Sequence, residues 1–391
     1  MARKNQNIHL RSSETTAPES LAADTFTETT KVEKMVAARP EKPRIEKWQY
    51  LEQKEIVKQS LILDDELARA LVSAYTEQGN FDRVERLKIR LTEERELREG
   101  ATTELMKIRD RKDADETAYR AAVVIKTKKE KKERLEEIEE RGDLVVRNEV
   151  IKIEVGVEGA RRHEAVFKPR DGEPLRYADD KLLGTVTGDQ EPRGYLREWL
   201  AGFVAKALER EELVPPTVIR EVGERIGSVQ KWVDGELASE GKNWILKSKP
   251  DDLEALAALD YILEIRDRHK ANFFIDEKGR VTAIDHGLTL SIEEGHSIRS
   301  FPLRLYGEKE ISPSLRSLLE SILSSEPRRL ALQKAFNFAF GDEGTPLFGR
   351  FSQRVRELTK NGMFPKYELS ATGDKNAFGL DIDSAENPQI G

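Results

Sequence analysis

The segment from Ile265 to Leu290 holds three oxygen-bearing side chains at spacings that suit phosphate chemistry. Asp267 and Asn272 lie five positions apart, and Asp285 follows thirteen residues later, after a predicted short hairpin. Phosphoryl transfer from ATP uses a carboxylate near the acceptor hydroxyl, an amide oxygen on Mg²⁺ and a second carboxylate that bridges the metal to the phosphates. Mg²⁺ prefers such hard oxygen ligands. The pattern predicts that the three side chains converge on one metal cluster; the alternative is a polar surface loop with a tight turn at 277–279.

A lysine at the end of a predicted strand is the second chemical element. In the strand 164–168, a period of two puts Val166 and Lys168 on one face, so that an ammonium lies beside an apolar surface suited to an adenine ring. A predicted helix bearing Glu198 follows in the chain. Glu198 is predicted to pair with Lys168 and hold it against the phosphates of ATP, and a surface pair with Arg197 is the alternative.

The elements that must position these side chains follow from the hydrophobic periodicity between 142 and 364. The predicted elements are a β-hairpin over 151–168, a helix over 195–212, strands over 217–220 and 228–233, a helix over 253–266, strands over 273–275 and 281–284, and helical structure over 312–360 with Phe336, Phe338 and Phe340 in the core. Strands with one helix, followed mostly by helices, indicate a two-lobed α+β domain. The chain lacks a G-x-G-x-x-G or Walker A sequence, and the hairpin turn at 156–159 is the predicted position of any loop over the phosphates.

The rest of the chain is divided by composition. Residues 1–45 carry almost no large apolar side chains and are predicted to be disordered, since they cannot offset the entropy of ordering. Residues 46–141 are predicted to form a helical hairpin followed by a long charged helix. The stretch 126–141 is basic first and acidic second, which is typical of a solvated helix with i to i+4 charge pairs or of a partner-binding coiled coil. Residues 365–391 are predicted to be a polar tail.

Composition excludes several functional classes. The 66 basic and 73 acidic residues give a net charge of −7, and this mildly acidic balance argues against a dedicated nucleic-acid binder. The absence of cysteine excludes disulfides, a cysteine nucleophile and thiolate metal sites, and the five histidines are too scattered for a multi-histidine site. No run approaches the roughly 20 apolar residues of a membrane span, and the first residues lack the apolar region of a signal peptide. The sequence therefore predicts a cytoplasmic protein without a transmembrane segment or a nucleic-acid partner.

Five blocks, in this order along the chain, resemble the phosphatidylinositol 3-/4-kinase superfamily. They are AVFKPRDGE from Ala165, VPPTVIR from Val214, GSVQKWVDG from Gly227, DRHKAN from Asp267 and AIDHGL from Ala283. The second, third and fifth blocks are most similar to type II phosphatidylinositol 4-kinases and their bacterial relatives. The resemblance covers about 150–364. It implies a bilobal protein-kinase-like fold, with ATP between a β-rich N-lobe and a helical C-lobe, preceded here by an all-α arm.

The resemblance also implies roles by position. Lys168 contacts the phosphates of ATP, and Asp267 is the catalytic aspartate that orients or deprotonates the acceptor hydroxyl. His269 is the histidine of the Asp-Arg-His motif and helps to offset developing charge. Asn272 and Asp285 are the implied metal ligands. The implied hinge beside adenine consists of Gln230, Lys231, Trp232 and Val233, with Trp232 packed on or near the base.

Three departures from the family bear on the acceptor. His286 stands where Phe or Asn usually follows the metal-binding aspartate. The absence of cysteine also removes the cluster by which type II lipid kinases are anchored, and no amphipathic basic helix is evident. A lipid, a protein or a small molecule is therefore left open as the acceptor.

The predicted function is a kinase that transfers the γ-phosphate of ATP to a hydroxyl group with Mg²⁺ as cofactor. One alternative is a nucleotide-binding pseudokinase or interaction protein that binds a protein partner through the helical arm 46–141. The presence of Lys168, Asp267, Asn272 and Asp285 together counts against it. Another alternative is transfer of AMP from ATP bound in a different orientation.

Overall fold

The computed structural model describes residues 47–107, 149–156, 162–173, 192–240, 243–292 and 298–366. All of them belong to the unit Lys47–Gly391. The predicted disordered segment 1–45, the charged stretch 126–141, most of the turn 156–159 and the tail beyond 366 lie outside the described residues.

Two long helices open the described chain. Helix α1 spans Lys47–Glu77 and helix α2 spans Phe81–Glu99. Gly79 joins them at φ 67°, a left-handed backbone conformation that glycine adopts without steric cost. The Asn80 side chain then caps α2 by accepting from the Arg83 amide at 3.4 Å. The apolar faces of both helices are buried in the main core.

A strand follows where the sequence predicted continued helix. Strand β1, Ala101–Lys107, pairs antiparallel with strand β2, Ile151–Gly156. The backbone at Gly100 is extended and its amide bonds to the Glu96 carbonyl, which ends α2. The next residues include the β-branched Thr102 and Thr103, which suit a pleated strand. The helical prediction is therefore wrong for 101–107, because pairing with β2 outweighs the local helical pattern.

The larger sheet has five antiparallel strands in the order β1-β2-β3-β5-β4. Its other strands are β3, His163–Pro169, β4, Thr217–Val222, and β5, Arg225–Lys231. The predicted hairpin is confirmed, since β2 and β3 pair with Ile151 opposite Phe167. The alternation along β2 is also confirmed, and one face of the sheet is buried by Leu97, Ile151, Ile153, Val155, Ala165, Phe167, Val218 and Val229.

Helix α3 spans Gly194–Ala207 and is buried along its whole length. It packs against the sheet, against α1 and against a C-terminal helix. The helix ends five residues before the predicted boundary, because Glu209 adopts a left-handed conformation with φ 58°. Because the helix is buried on every side, its neighbours fix its rotation, and this also fixes the direction of the Glu198 side chain that it carries.

The second half of the described chain is mostly helical around a small sheet. Strands β6, Glu236–Leu237, β7, Phe273–Ile275, and β8, Val281–Ala283, form that sheet in the order β6-β7-β8. The predicted strands at 273–275 and 281–284 are thus confirmed. The helices are α4, Trp244–Lys247; α5, Pro250–Ile262; α6, Phe301–Tyr306; α7, Pro313–Ser324; α8, Glu326–Phe340; and α9, Gly344–Asn361.

The C-terminal helical region is divided into three helices, α7 to α9. Pro313 begins α7, and Gly341 follows α8 at φ 60°. Phe336 and Phe340 are buried as predicted, and Phe338 lies edge-on to Trp199 of α3 with ring centroids 5.3 Å apart. The α+β class is therefore confirmed, while the division into two lobes stays a prediction. Across the described ranges, every helix is too short or too polar to span a bilayer.

Candidate active site

Lys168 lies near the end of β3, on the face opposite the sheet core. Ala165 and Phe167 face the buried side, and Val166 packs with Val150 and Trp232 on the other. The Lys168 ammonium donates to the Glu198 carboxylate and, at 2.9 Å, to Asp285 Oδ1. The predicted pairing with Glu198 is therefore present, and Asp285 joins it.

Glu198 is held inside α3 and is not at the surface. Its side chain is 2 % exposed, against 15 % for Lys168. Burial would raise the pKa of the Glu198 carboxyl, but the Lys168 ammonium and the nearby His286 outweigh burial and lower that pKa below its usual value. Arg197 is also buried and donates from Nε to the Thr289 carbonyl at 2.7 Å. The alternative of a surface Arg197–Glu198 pair is wrong, because each side chain binds a different inward partner.

The loop before β7 carries Asp267, His269 and Asn272. The Asn272 Nδ2 atom donates to the Asp267 carbonyl at 2.6 Å, which ties the two ends of the loop together. His269 Nδ1 accepts from the Ala271 amide at 3.2 Å, and His269 Nε2 lies 3.8 Å from Asp267 Oδ2. The loop is thus closed by its own polar groups, with the Asp267 carboxylate beside an imidazole.

The Asp267 carboxylate is electrostatically coupled to Asp285. Burial raises the pKa of Asp267, the His269 imidazole lowers it, and the negative charge of Asp285 raises it further. The net direction is upward. A partly buried carboxylate with a raised pKa holds a proton more readily than one in water. Two acidic groups thus act on the same space, one from the loop and one from the segment after β8.

Asp285 is positioned by an unusual backbone conformation and by a buried arginine. Its φ is 61°, a left-handed value that aspartate tolerates better than most residues. The guanidinium of Arg268 donates to the carbonyl of Ile284 and, at 3.0 Å, to that of Asn272. Arg268 also pairs with Asp260 at 3.2 Å, and neither side chain has measurable exposure. One buried cation therefore links the backbone of Asn272 to the residue that precedes Asp285.

The donor atoms near Asp285 fit magnesium. The Asn272 amide nitrogen is engaged with Asp267, so the amide oxygen is the end that can ligate a cation. Within the described ranges, no cluster of three or more His, Asp or Glu side chains could hold a metal ion alone. Mg²⁺ in nucleotide sites is usually held by one or two protein oxygens together with phosphates and waters. Asn272 and Asp285 therefore have the donor chemistry that a protein supplies to such a site, and their metal role stays a prediction.

The predicted hinge residues lie at the end of β5, and their side chains point to different partners. Gln230 Nε2 donates to Thr217 Oγ1 at 2.9 Å, and Lys231 Nζ donates to Glu93 of α2 at 2.6 Å. Trp232 packs in the small apolar group with Val166, and the Lys152 ammonium lies 4.2 Å from its ring centroid. Val233 is half-buried. Among the predicted hinge residues, Trp232 is thus the one that shares an apolar surface with the Lys168 face of β3.

His286, the residue after Asp285 in the chain, is fully buried. Its Nδ1 atom lies 3.6 Å from Glu198 Oε2, too far for a hydrogen bond, and neither ring nitrogen has a hydrogen-bond partner among the described residues. Burial and the neighbouring Arg268 charge lower the pKa of His286 to about 4. The imidazole is therefore neutral near pH 7.

The sequence reasoning missed the Asp260–Arg268 pair. One signal was available, since Asp260 interrupts an otherwise apolar part of α5, and a buried carboxylate requires a partner. Nothing in the local pattern shows that this partner is the arginine of the loop motif. The contact needs the tertiary fold.

Comparisons with known proteins identify part of this region. Residues 250–329 match the family model for phosphatidylinositol 3- and 4-kinases. A phosphatidylinositol 4-kinase of Dictyostelium discoideum is 39 % identical over 59 residues, which cover 15 % of this chain and only 5 % of that relative. The resemblance to the superfamily is confirmed for the segment with Asp267, Asn272 and Asp285. Lys168 and Glu198 lie outside it, and the structure joins them to it.

Proposed function

We propose that the protein is a kinase that transfers the γ-phosphate of ATP to a hydroxyl acceptor with Mg²⁺. The observation that carries the proposal is the meeting of Lys168, Glu198 and Asp285, which come from three separate elements. The match to phosphatidylinositol 3- and 4-kinases over 250–329 supports it independently. Phosphoryl transfer depends chiefly on positioning and on charge stabilisation, and this arrangement supplies both.

In this proposal Asp267 is the group nearest the acceptor. Its carboxylate receives the hydroxyl proton as the acceptor oxygen bonds to the γ-phosphorus, and the bond from that phosphorus to the β,γ-bridging oxygen breaks to release ADP. The raised pKa of Asp267 makes it a better proton acceptor than an ordinary aspartate. His269, 3.8 Å from that carboxylate, stabilises negative charge beside it.

Lys168 and the metal ligands serve the phosphates. The Lys168 ammonium binds phosphate oxygens, and the buried Glu198 carboxylate, whose side chain is 2 % exposed, holds that ammonium in place. Mg²⁺, when bound by Asn272 and Asp285, neutralises phosphate charge. Trp232 and Val166 offer the apolar surface on which adenine packs.

The acceptor class that the comparisons favour is an inositol lipid. The relative that matches is described as a phosphatidylinositol 4-kinase, and its aligned part covers 59 residues. The matched segment 250–329 contains Asp267, the residue proposed to meet the acceptor. The alternative acceptor to test beside the inositol lipid is a hydroxyl group of a protein.

The test is transfer of label from ATP to defined acceptors. Full-length protein is incubated with Mg²⁺ and γ-labelled ATP, and with phosphatidylinositol vesicles, a generic protein or no added acceptor. Asp267→Asn and Asp285→Asn should each lose at least about 100-fold in rate. Glu277→Gln, an exposed carboxylate in the turn between β7 and β8, should keep the wild-type rate.

Two outcomes would overturn the proposal. Equal incorporation by the wild type, Asp267→Asn and Asp285→Asn would show that these residues do not carry the reaction. Incorporation from α-labelled but not γ-labelled ATP would show transfer of AMP instead of phosphate.

A further inference from the structure

A buried group of charges joins the first two helices to helix α3. We call it the Asp64 cluster. It consists of Asp64 on α1, Arg90, Glu94 and Arg98 on α2, and Lys206 on α3. The side chains of Asp64, Glu94 and Lys206 are at most 4 % exposed. Buried charges are costly unless they are paired, so this cluster fixes the geometry of the elements that carry it.

Asp64 accepts hydrogen bonds from two side chains of α3. Its Oδ1 atom accepts from Lys206 Nζ at 2.8 Å, and its Oδ2 atom accepts from Trp199 Nε1 at 3.1 Å. Trp199 and Lys206 are seven residues apart, which is about two helical turns and the same helix face. The two side chains start about 10 Å apart along the helix axis and meet at one carboxylate, so rotation or sliding of the helix would break at least one of the two contacts.

The residue next to Trp199 is Glu198, the partner of Lys168. Successive residues of a helix point about 100° apart, so fixing the Trp199 face also fixes the direction of Glu198. If α3 turned or slid, the Asp64 contacts and the Lys168–Glu198 contact would be lost together. The contacts of the Asp64 cluster and the Lys168–Glu198 contact of the candidate active site therefore depend on the same position of α3.

Helix α2 completes the support from a second direction. Glu94 accepts from Lys206 Nζ at 2.9 Å and from Arg90 Nε at 2.8 Å. Arg90 in turn donates to the carbonyls of Val214, at 2.7 Å, and Pro215, at 3.0 Å. These carbonyls precede β4, whose neighbour β5 leads to Trp232. Helix α2 thus connects α3 to the sheet that carries the rest of the nucleotide surface.

We propose that helices α1 and α2 are a built-in support for α3, and that Asp64, Glu94 and Lys206 are positioning residues that keep Glu198 paired with Lys168. The inference rests on the proposed kinase function for its effect on rate. It assigns to the helical arm a role within the chain, distinct from binding a partner.

The experiment compares Lys206→Met with a control that also removes a lysine paired to a carboxylate of α1, but at the surface. Lys334→Met removes another ion pair of α1, between Lys334 and Glu66 at 2.8 Å, which leads to α8 and not to α3. Lys206→Met should lower kcat/KM for ATP about tenfold or more, and Lys334→Met should change it less than about twofold. Equal effects of the two variants would overturn the proposal.

The decisive comparison uses Glu198→Gln as background. If Lys206 acts through Glu198, adding Lys206→Met to Glu198→Gln should lower the rate by less than about twofold, because the pair is already broken. A loss that multiplies fully with that of Glu198→Gln would show that Lys206 acts by general destabilisation, and would sink the proposal.

A milder variant and a second measurement keep the test independent of folding and of activity. Trp199→Phe removes only the Nε1 donor to Asp64 and keeps an aromatic ring in the core. Amide hydrogen exchange of 194–207 should be faster in Trp199→Phe and in Lys206→Met than in the wild type, and unchanged in Lys334→Met. Lys206→Arg, which keeps the charge, should restore most of the protection.

Failure of the two proposals can be told apart. A wild type that transfers no phosphate to any acceptor refutes the kinase function, and the exchange of 194–207 then decides the support on its own. If the wild type is active and amide hydrogen exchange of 194–207 is the same in all variants, the proposal that α1 and α2 support α3 is refuted. The proposed kinase function is then unaffected.

Discussion

Lys168 and Asp285 lie 117 positions apart in the chain, yet the Lys168 ammonium donates to Asp285 Oδ1 at 2.9 Å while it also contacts Glu198. The two carboxylates differ in burial, since Glu198 is 2 % exposed and Asp285 is 29 % exposed. Breaking a buried pair costs more than breaking an exposed one. In the proposed kinase, Asp285 is therefore the partner that Lys168 would exchange on binding of the nucleotide and Mg²⁺, and Glu198 is the partner that it would keep.

This asymmetry predicts how metal and nucleotide binding respond to Asp285→Asn. The variant removes one charge from the proposed magnesium ligands, so ATP should bind at least about tenfold more weakly in the presence of Mg²⁺. In excess chelator, the affinities of variant and wild type should differ much less. Calorimetric titration of ATP under both conditions measures this, with Asp342→Asn, an exposed carboxylate after α8, as the control. An equal loss with and without Mg²⁺ would argue against a metal role for Asp285.

The close approach of β5 to β3 predicts the effect of Gly227→Ala. A Cβ atom at Gly227 would meet the Lys168 carbonyl, and it would lie 2.6 Å from the Phe167 ring and 2.7 Å from Pro169 Cα. The variant should lose about 1–3 kcal/mol of unfolding free energy, because the backbone of β3 must move. Nucleotide affinity should fall as well, since the same shift moves Lys168.

The control for Gly227→Ala is Gly349→Ala in helix α9. A Cβ atom at Gly349 meets nothing within 4 Å. Because alanine has the higher helix propensity, this variant should be more stable by about 0.5–1 kcal/mol. Urea unfolding measures both variants, and a neutral Gly227→Ala would refute the close-packing argument.

The buried Asp260–Arg268 pair predicts a large loss of stability when the arginine is replaced by an uncharged side chain. Arg268→Met leaves Asp260 as an unpaired buried carboxylate and removes the donor to the Asn272 and Ile284 carbonyls. The free energy of unfolding should fall by about 3–5 kcal/mol. Arg280→Met, which breaks an exposed pair with Asp276, should cost less than about 1 kcal/mol. Similar costs for the two variants would contradict the buried role of Arg268.

Periodicity predicted the local elements of the site but not the contacts between them. The strand with Lys168, the helix with Glu198 and the short strands around Asn272 and Asp285 follow from apolar spacing, which depends on neighbours in sequence. The same reasoning failed at 101–107, where pairing with a distant strand decides the conformation. It also left open whether Glu198 faces the surface, because α3 is apolar on nearly every side and its pattern shows no preferred face.

The Asp64 cluster shows a second limit of the same kind. Arg90, Glu94 and Lys206 are of residue types that usually lie at the surface. Arg90 and Glu94 also have opposite charges four residues away, as on a solvated helix, whereas Lys206 stands in the otherwise apolar α3. Their burial depends on three helices packing together, with Asp64 completing the charge balance. Only the tertiary structure separates these charges from the truly solvated ones on α2.

The buried Glu94 carboxylate makes the free energy of unfolding depend on pH in the acidic range. Burial would raise its pKa, but Lys206, Arg90 and Arg98 outweigh burial and lower the pKa to about 2 from an ordinary value of 4.5. The unfolded chain therefore takes up a proton near pH 4.5 before the folded chain does. The stabilisation is complete above that pH and is lost as pH falls toward 2, by on the order of 3 kcal/mol in total. Urea unfolding of wild type and Glu94→Gln should thus show a stability gap at pH 7 that narrows between pH 4.5 and pH 3. Glu85→Gln, in an exposed pair with Lys88 on the same helix, should show no such trend, and a pH-independent gap for Glu94→Gln would mean that the charge of Glu94 is not what stabilises the cluster.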